Sequence, residues 1–275
     1  MRLRIGVFVG LILVQAIAGP VYHFSVIRYE KTAQLAKAYE PFLNYLSQKT
    51  GLGFEFVYTD THEELIEKMR QGKVHMAHMG PQPYVMLKAR CVDAEPIAVF
   101  LDDEGGSTYH CSLAVREESP LKSLEQVSGQ RLALTQRLST CGWLSPVSAL
   151  KRAGGSMQSN RYRFAGTHVD AVMALMLQEA DVAAARSDIV DRYRHMGIRH
   201  LSINGPYPNF VIVLNVERIP KAHQALIRSA VLSLKHQDAH RRESWHPYLR
   251  FGAVAADDAL FDPVRAELRA IGELL

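Results

Sequence analysis

Apolar positions along this chain follow two alternating rhythms. Short apolar runs closed by turn residues take turns with stretches whose apolar positions recur every three to four residues, the marks of strands and amphipathic helices. YHFSVIR (22–28) reads as a first strand. TAQLAKAYEPFLNYLSQKTG then sets Leu35, Ala38, Tyr39, Phe42, Leu43 and Leu46 on one helical face, with Gly51 as the stop. Pro41 lies inside that pattern and predicts a kink or a restart. GFEFVYT (53–59) is a second strand, and the helix after it opens at Thr61, with Glu64 completing a capping box, and closes at Gly72. VHMAHMG (74–80), PIAVFL (96–101) and YHCSLAVR (109–116) are further strands, with a helix begun at the proline-rich turn of PQPYVMLKAR after the first of them.

A second series repeats the alternation. LKSLEQVSG is a short helix, RLALT a strand, and RYRFAG another. THVDAVMALMLQEA is a helix that Thr167 and Asp170 can cap, and DVAAARS (181–187) is a strand of small apolar residues, as expected where both faces are covered. FVIVLNV (210–216) is a late strand, and the tail from Pro220 is mostly helical. Strands alternating with helices predict an α/β fold of parallel-rich sheets with flanking helices. The alternation breaks near residues 102–110 and again near 204–209. Two connections imply a discontinuous first lobe, residues 19–108 and 205–275, around a second lobe, 109–204, with a ligand cleft between them. There is no repeat of fixed period and no low-complexity tract.

Composition narrows the class. The chain has 275 residues, 48% hydrophobic and 22% charged, enough for two lobes of about 100–150 residues each. A formal charge of +4 without a dense Lys/Arg stripe argues against a nucleic-acid partner. MRLR followed by IGVFVGLILVQAIAG and a small-residue AIA site reads as a cleaved signal peptide, residues 1–18. Its apolar run is shorter than the about 20 residues of a spanning helix, and no cysteine follows it to carry a lipid. A soluble, exported and monomeric protein is expected. Cys91, Cys111 and Cys141 are too few for a disulfide scaffold. One pair, Cys91 with Cys111 for example, and three separate thiols both remain open.

The candidate chemistry sits at a strand-to-helix turn. RLSTCGWLSPVSALKRAG (137–154) follows a strand with small side chains that leave backbone N–H groups uncovered. Such groups at a helix start have no intrahelical partner and sit at the positive end of the peptide dipoles, so a phosphate-like anion can approach them. Ser139 and Thr140 add hydroxyls, Gly142 an unshielded N–H, and Cys141 its backbone. With Pro146 a turn later, the first turn can be a separate nest of N–H groups and the main helix can restart there. An ordinary helix cap would use the same Ser and Thr.

GKVHMAHMGPQPYV, STYH, STCG, GTHVDAV, EADVAAARSD and FDPVR stand in the order and rough spacing of a known pattern. On these motifs, over roughly residues 22–265, the chain resembles the phosphonate/phosphite/phosphate-type periplasmic substrate-binding proteins of ABC transporters. The resemblance implies a type II periplasmic-binding-protein fold and Ser139, Thr140, Cys141 and Gly142 as an anion cradle. It also implies ligand contacts from Tyr109 and His168, and an acidic residue, Asp188, facing the cleft. Tyr109 would equally suit a hinge, and Asp188 a cap for the helix it begins. His168 would stand at a second helix start, at the strand-end edge where open α/β sheets bind ligands. Three positions depart from the pattern: His62, where relatives often carry tyrosine, Cys141 for the usual serine, and His75 where aspartate is common. With His62 and Cys141 near the ligand, the ligand itself is expected to differ from the usual one.

The resemblance further implies capture of a small oxyanion (phosphonate, phosphite or phosphate ester) in the periplasm and delivery to a membrane permease, with no cofactor. A sensory module of the same fold, signalling to a receptor, is the alternative. No G-x-S-x-G elbow, phosphate loop or paired-carboxylate motif appears, so an enzyme is not expected. His75 and His78 are three apart on a strand and point to opposite faces, a poor chelate, and the histidines of residues 237–246 read as the solvated face of a charged helix, so no metal is expected.

Overall fold

A computed structural model describes residues 19–26 and 32–274. The expected signal segment and the end of the first expected strand lie outside them. β1 (Val21–Val26), α1 (Thr32–Thr50), β2 (Gly53–Phe56), α2 (His62–Arg70), β3 (Met76–Met79), α3 (Pro81–Lys88) and β4 (Ala94–Phe100) come first. They are followed by β5 (Thr108–Arg116), β6 (Arg131–Leu134), α4 (Ser145–Arg152), β7 (Arg161–Phe164), α5 (His168–Met176), β8 (Val182–Arg186), α6 (Ser187–Arg192) and β9 (Ile198–Pro208). The chain ends with β10 (Val211–Asn215), α7 (Lys221–Leu232), α8 (Pro247–Arg250), β11 (Ala253–Ala255) and α9 (Asp262–Ala270).

The strands form two sheets, ordered β11-β4-β10-β3-β1-β2 and β7-β6-β8-β5-β9. Both are mixed: the first has two parallel and three antiparallel pairs, the second two of each. β1 pairs parallel with β2 and β3, whereas β10 runs antiparallel between β3 and β4. In the second sheet β6 pairs parallel with β7 and β8, and β5 runs antiparallel to β8 and β9. The antiparallel members lie next to the crossings, because a strand arriving from the other sheet enters against the direction of those laid down by βαβ units. The chain changes sheet between β4 and β5 and between β9 and β10. The two crossings are hydrogen-bonded to each other: Phe100 N–H donates to the Phe210 carbonyl (3.0 Å), and Asn209 N–H to that of Ser107 (2.8 Å).

Three local expectations change. α1 is one helix through Pro41, since Tyr39, Phe42, Leu43 and Leu46 are all buried on a single face and packing outweighs the local break. LKSLEQVSG shrinks to a 3-10 turn, Leu124–Gln126. Residues 237–246 keep the solvated face expected at Gln237, His240 and Arg241, but not at their end. Arg242 and His246 are 6% and 5% exposed, and the His246 ring stacks on Tyr39 with centroids 5.2 Å apart.

Candidate functional site

β6 ends against Thr135, and the next turn folds as the sequence proposes, in two pieces. Thr140–Leu144 forms a π-helical turn, and α4 restarts at Ser145 with Pro146 in its first turn. Ser139 caps the first piece: its Oγ accepts the Gly142 N–H (3.0 Å), and its carbonyl accepts those of Trp143 (2.8 Å) and Leu144 (3.3 Å). The amides of Thr140 and Cys141 are the ones the turn does not use. The expectation of a bare Gly142 amide is therefore corrected, because that proton closes the cap. Gly142 matters through its size: a Cβ there would lie 1.7 Å from Thr135 Oγ1.

Ser139, Thr140 and Cys141 form one wall of a cavity of about 40 Å³, and Tyr109, His168 and His62 form others. Six of the eight residues singled out in the sequence are thus brought together; Gly142 and Asp188 are not among the lining residues. Tyr109, near the start of β5, is 7% exposed and lines the cavity beside Thr140. Burial pushes its phenol up to about 12, so it stays protonated. Thr140 Oγ1 accepts the Gln82 N–H at 3.0 Å, which ties the cradle to α3 on the first sheet.

The residue that sequence reading missed is Arg186, which closes β8 and lines the same cavity at 7% exposure. Its guanidinium lies 4.5 Å from the centre of the Tyr109 ring and 5.1 Å from that of Tyr248. Its Nε donates to Asp188 Oδ1 at 2.9 Å. A lone cation ending the otherwise apolar VAAAR was the available signal. Asp188, expected to face the cleft, holds this guanidinium from a second cavity of about 310 Å³ on the Tyr248 side, lined by Phe100 to Asp103 of the other sheet's side as well. An open groove of about 570 Å³, walled by Asp60, Glu63, Arg137 and Asp170 among others, meets the inner cavity at His62, Thr135, Gln136, Gly166 and Thr167.

Both histidines of the inner cavity are neutral near pH 7. Burial lowers His62 to about 4, an effect the nearby Leu138 backbone only partly offsets, although neither ring nitrogen makes a hydrogen bond of normal geometry. Burial, with the Arg186 charge beside it, takes His168 to about 4 as well. His168 opens α5, where the Thr167 cap accepts the Asp170 N–H at 3.0 Å and returns its own O–H to the Asp170 carboxylate at 2.7 Å. Four buried polar atoms of the lining residues have no protein partner: His62 Nδ1 and Nε2, Thr135 Oγ1 and His168 Nδ1. Buried polar groups are ordinarily hydrogen-bonded, so such a convergence marks a place made for a guest.

One covalent link stiffens the cradle. Cys111 on β5 is bonded to Cys141, with Cα atoms 4.9 Å apart, and Cys91 is the free thiol. This corrects the Cys91–Cys111 candidate. Cys91 follows α3 beside the first sheet, whereas Cys111 faces the π-helical turn packed on its own sheet. Among the described residues no group of three or more His, Cys, Asp or Glu side chains is placed to hold a metal, and no helix is long and apolar enough to cross a membrane.

Two mixed sheets joined by a double crossing, with a cation and hydrogen-bond donors gathered where they meet, define a two-lobed α/β binding fold of the periplasmic type II kind. Within that class the chain belongs to the family of periplasmic substrate-binding proteins of phosphonate ABC transporters, whose model matches residues 24–261. The phosphate-import protein PhnD of Mycolicibacterium smegmatis is 26% identical over 178 residues, 61% of this chain and 56% of that one, so the match spans little more than half that relative's length. PhnD1 from Prochlorococcus marinus, solved in complex with methylphosphonate, superposes with a TM-score of 0.80 at 15% identity, covering 92% of this chain and 99% of that one. The binding component of a phosphonate ABC transporter from Pseudomonas aeruginosa gives 0.76 at 19% identity, over 92% and 87% of the two chains.

Proposed function

We propose that this chain captures a small oxyanion of the phosphonate, phosphite or phosphate-ester class and presents it to the membrane permease of an ABC importer. The observation that carries the reading is the convergence of the Arg186 guanidinium and four unpartnered polar atoms on one cavity of about 40 Å³. Arginine matches tetrahedral oxyanions in charge and in the fork of its donors. The Thr140 and Cys141 amides and the Ser139 hydroxyl, whose oxygen is already capped by Gly142, would donate to the anion from one side, and Tyr109 and His168 from another. The phosphorus oxyanions named for two relatives fit this set.

Residues 19–108 with 205–275, and residues 109–204, would act as two bodies that close on the ligand about the paired crossings, as in other periplasmic binding proteins. The ligand shifts that equilibrium only by its preference for the closed form. In this reading residues 1–18 are removed on export and a single copy works in the periplasm. The test is thermal denaturation of the exported chain with phosphonates, phosphite, phosphate, sulfate and sulfonates. A binder raises Tm by mass action. A panel without a single rise defeats the proposal, and so does turnover of a phosphoester that is lost on His168→Ala.

A further inference from the structure

His62 is 4% exposed, lines both the inner cavity and the open groove, and has no hydrogen bond from either ring nitrogen. A neutral imidazole carries one N–H and one lone pair, whichever nitrogen holds the proton. The nearby Leu138 backbone can take the N–H, which leaves the lone pair to be met by a donor in the cavity. No side-chain donor is bonded to that lone pair: even the Thr135 hydroxyl, which lines both spaces with His62, is itself without a partner. Asp60 and Glu63 beside it and Asp170 across the groove are carboxylates, and Asp170 is taken by Thr167. Arg137 is turned to Glu273 at 2.7 Å and stacked on Trp143, and Arg186 is engaged with Asp188. The lone pair is thus open to a donor that arrives with the ligand. Space favours a small one: the inner cavity, about 40 Å³, has room for the oxygens of one tetrahedral anion, and any longer arm has to run out into the open groove.

We propose that His62 selects the protonated monoanion of a compact phosphorus oxyanion by accepting its P–O–H on one ring nitrogen. Sulfate and sulfonates, which have the same shape but no acidic proton near neutrality, leave the imidazole lone pair unmatched and are rejected. The inference rests on the oxyanion-capture reading and narrows it.

The test is titration calorimetry with methylphosphonate and its isostere methanesulfonate, at a pH that keeps both as monoanions, and with 2-aminoethylphosphonate as a third probe. Wild type is expected to favour methylphosphonate over methanesulfonate by at least about tenfold, the effect of one unmatched buried acceptor. His62→Phe should bring that ratio close to one, while His62→Gln, which keeps a donor and an acceptor, should retain most of it. A wild-type ratio near one, an unchanged ratio in His62→Phe, or tighter binding of 2-aminoethylphosphonate than of methylphosphonate overturns the proposal and leaves oxyanion capture standing. Should His62→Phe fail to fold, the wild-type ratio and His62→Gln still decide. Binding of none of the three probes, nor of phosphate, brings down the capture reading and this inference with it.

Discussion

The two sheets are built from different materials. Around the first, the largest fully buried side chains are aromatic, among them Tyr39, Tyr84, Phe24, Phe42, Phe100 and Phe261. On the face of the second that α5 covers, the core is largely Ala114, Ala133, Ala171, Ala174, Ala183 and Ala185, while Leu132, Leu134, Trp143, Leu150 and Met157 fill its other face. Small side chains let α5 sit close to the strands, and its first turn meets the π-helical segment around Thr135 and Arg186. The cavity wall shows the same division. The first sheet's side provides Gly80, Pro83, Phe210 and one polar side chain, His62; the second provides the hydroxyls, the free amides and the cation. Bulk holds one half, while close approach and a disulfide hold the other, and holding the anion falls to the second.

The substitutions that break this contrast most should lie on the second sheet. Arg186→Met is expected to weaken binding of methylphosphonate by about 4 kcal/mol, roughly a thousandfold, because a desolvated cation is lost from the anion. Calorimetry showing less than a tenfold loss would place the anion elsewhere. Next comes the Cys111–Cys141 link, which closes a 30-residue separation. Replacing both cysteines with serine should lower stability by about 3 kcal/mol in denaturant titration. Unchanged hydrogen exchange across β1 to β4 would confine that loss to the alanine-rich half, and a loss spread evenly over both sheets would erase the contrast. Ser139→Ala should then cost about 2 kcal/mol of binding, one charge-assisted hydrogen bond, with Thr140 left to its bond with Gln82. Equal affinities in the mutant and wild type would remove Ser139 from the cradle.

What was legible in the sequence follows the range of the interaction. The βα alternation, the Thr61 and Thr167 caps and the two-piece turn before Pro146 depend on residues within a few positions of one another, and each stands where the pattern put it. Thr61 and Thr167 accept the N–H three residues on, as short-range capping dictates. The pieces that escaped are long-range. The antiparallel insertion of β10 between β3 and β4, the Cys111–Cys141 pairing and the burial of His246 against Tyr39 join segments far apart in the chain, where spacing carries no signal. Arg186 was hidden for another reason: one charge ending a strand reads as a surface residue until Tyr109 and Tyr248 are seen to enclose it. At Gly142 the residue type was read correctly and its purpose was not, since flexibility and bare amides leave the same letter in the sequence as a steric need.

The smallest expected effect probes the aromatic half. Burial, with Arg250 adding to it, lowers His246 to about 4, and its Nδ1 accepts the Tyr248 N–H at 3.2 Å at the start of α8. The unfolded chain binds a proton at the ordinary histidine value of about 6.5, so acid favours unfolding. The stabilisation is complete above that value and drains away as pH falls from about 6.5 towards 4. At pH 5.5 one such group removes about 1.4 kcal/mol. His246→Phe keeps the stack on Tyr39 and gives up the proton, so its stability should fall less steeply between pH 7.5 and 5.5, by about that amount, whatever the lost cap does to the absolute value. His168, lowered similarly but half-buried, should contribute a smaller share when replaced in the same way. Measuring the slope for each variant by denaturant titration weighs the two halves against each other. A wild-type slope in His246→Phe would mean that this ring meets water more than its packing implies, and that the aromatic core is looser there than its alanine-built counterpart.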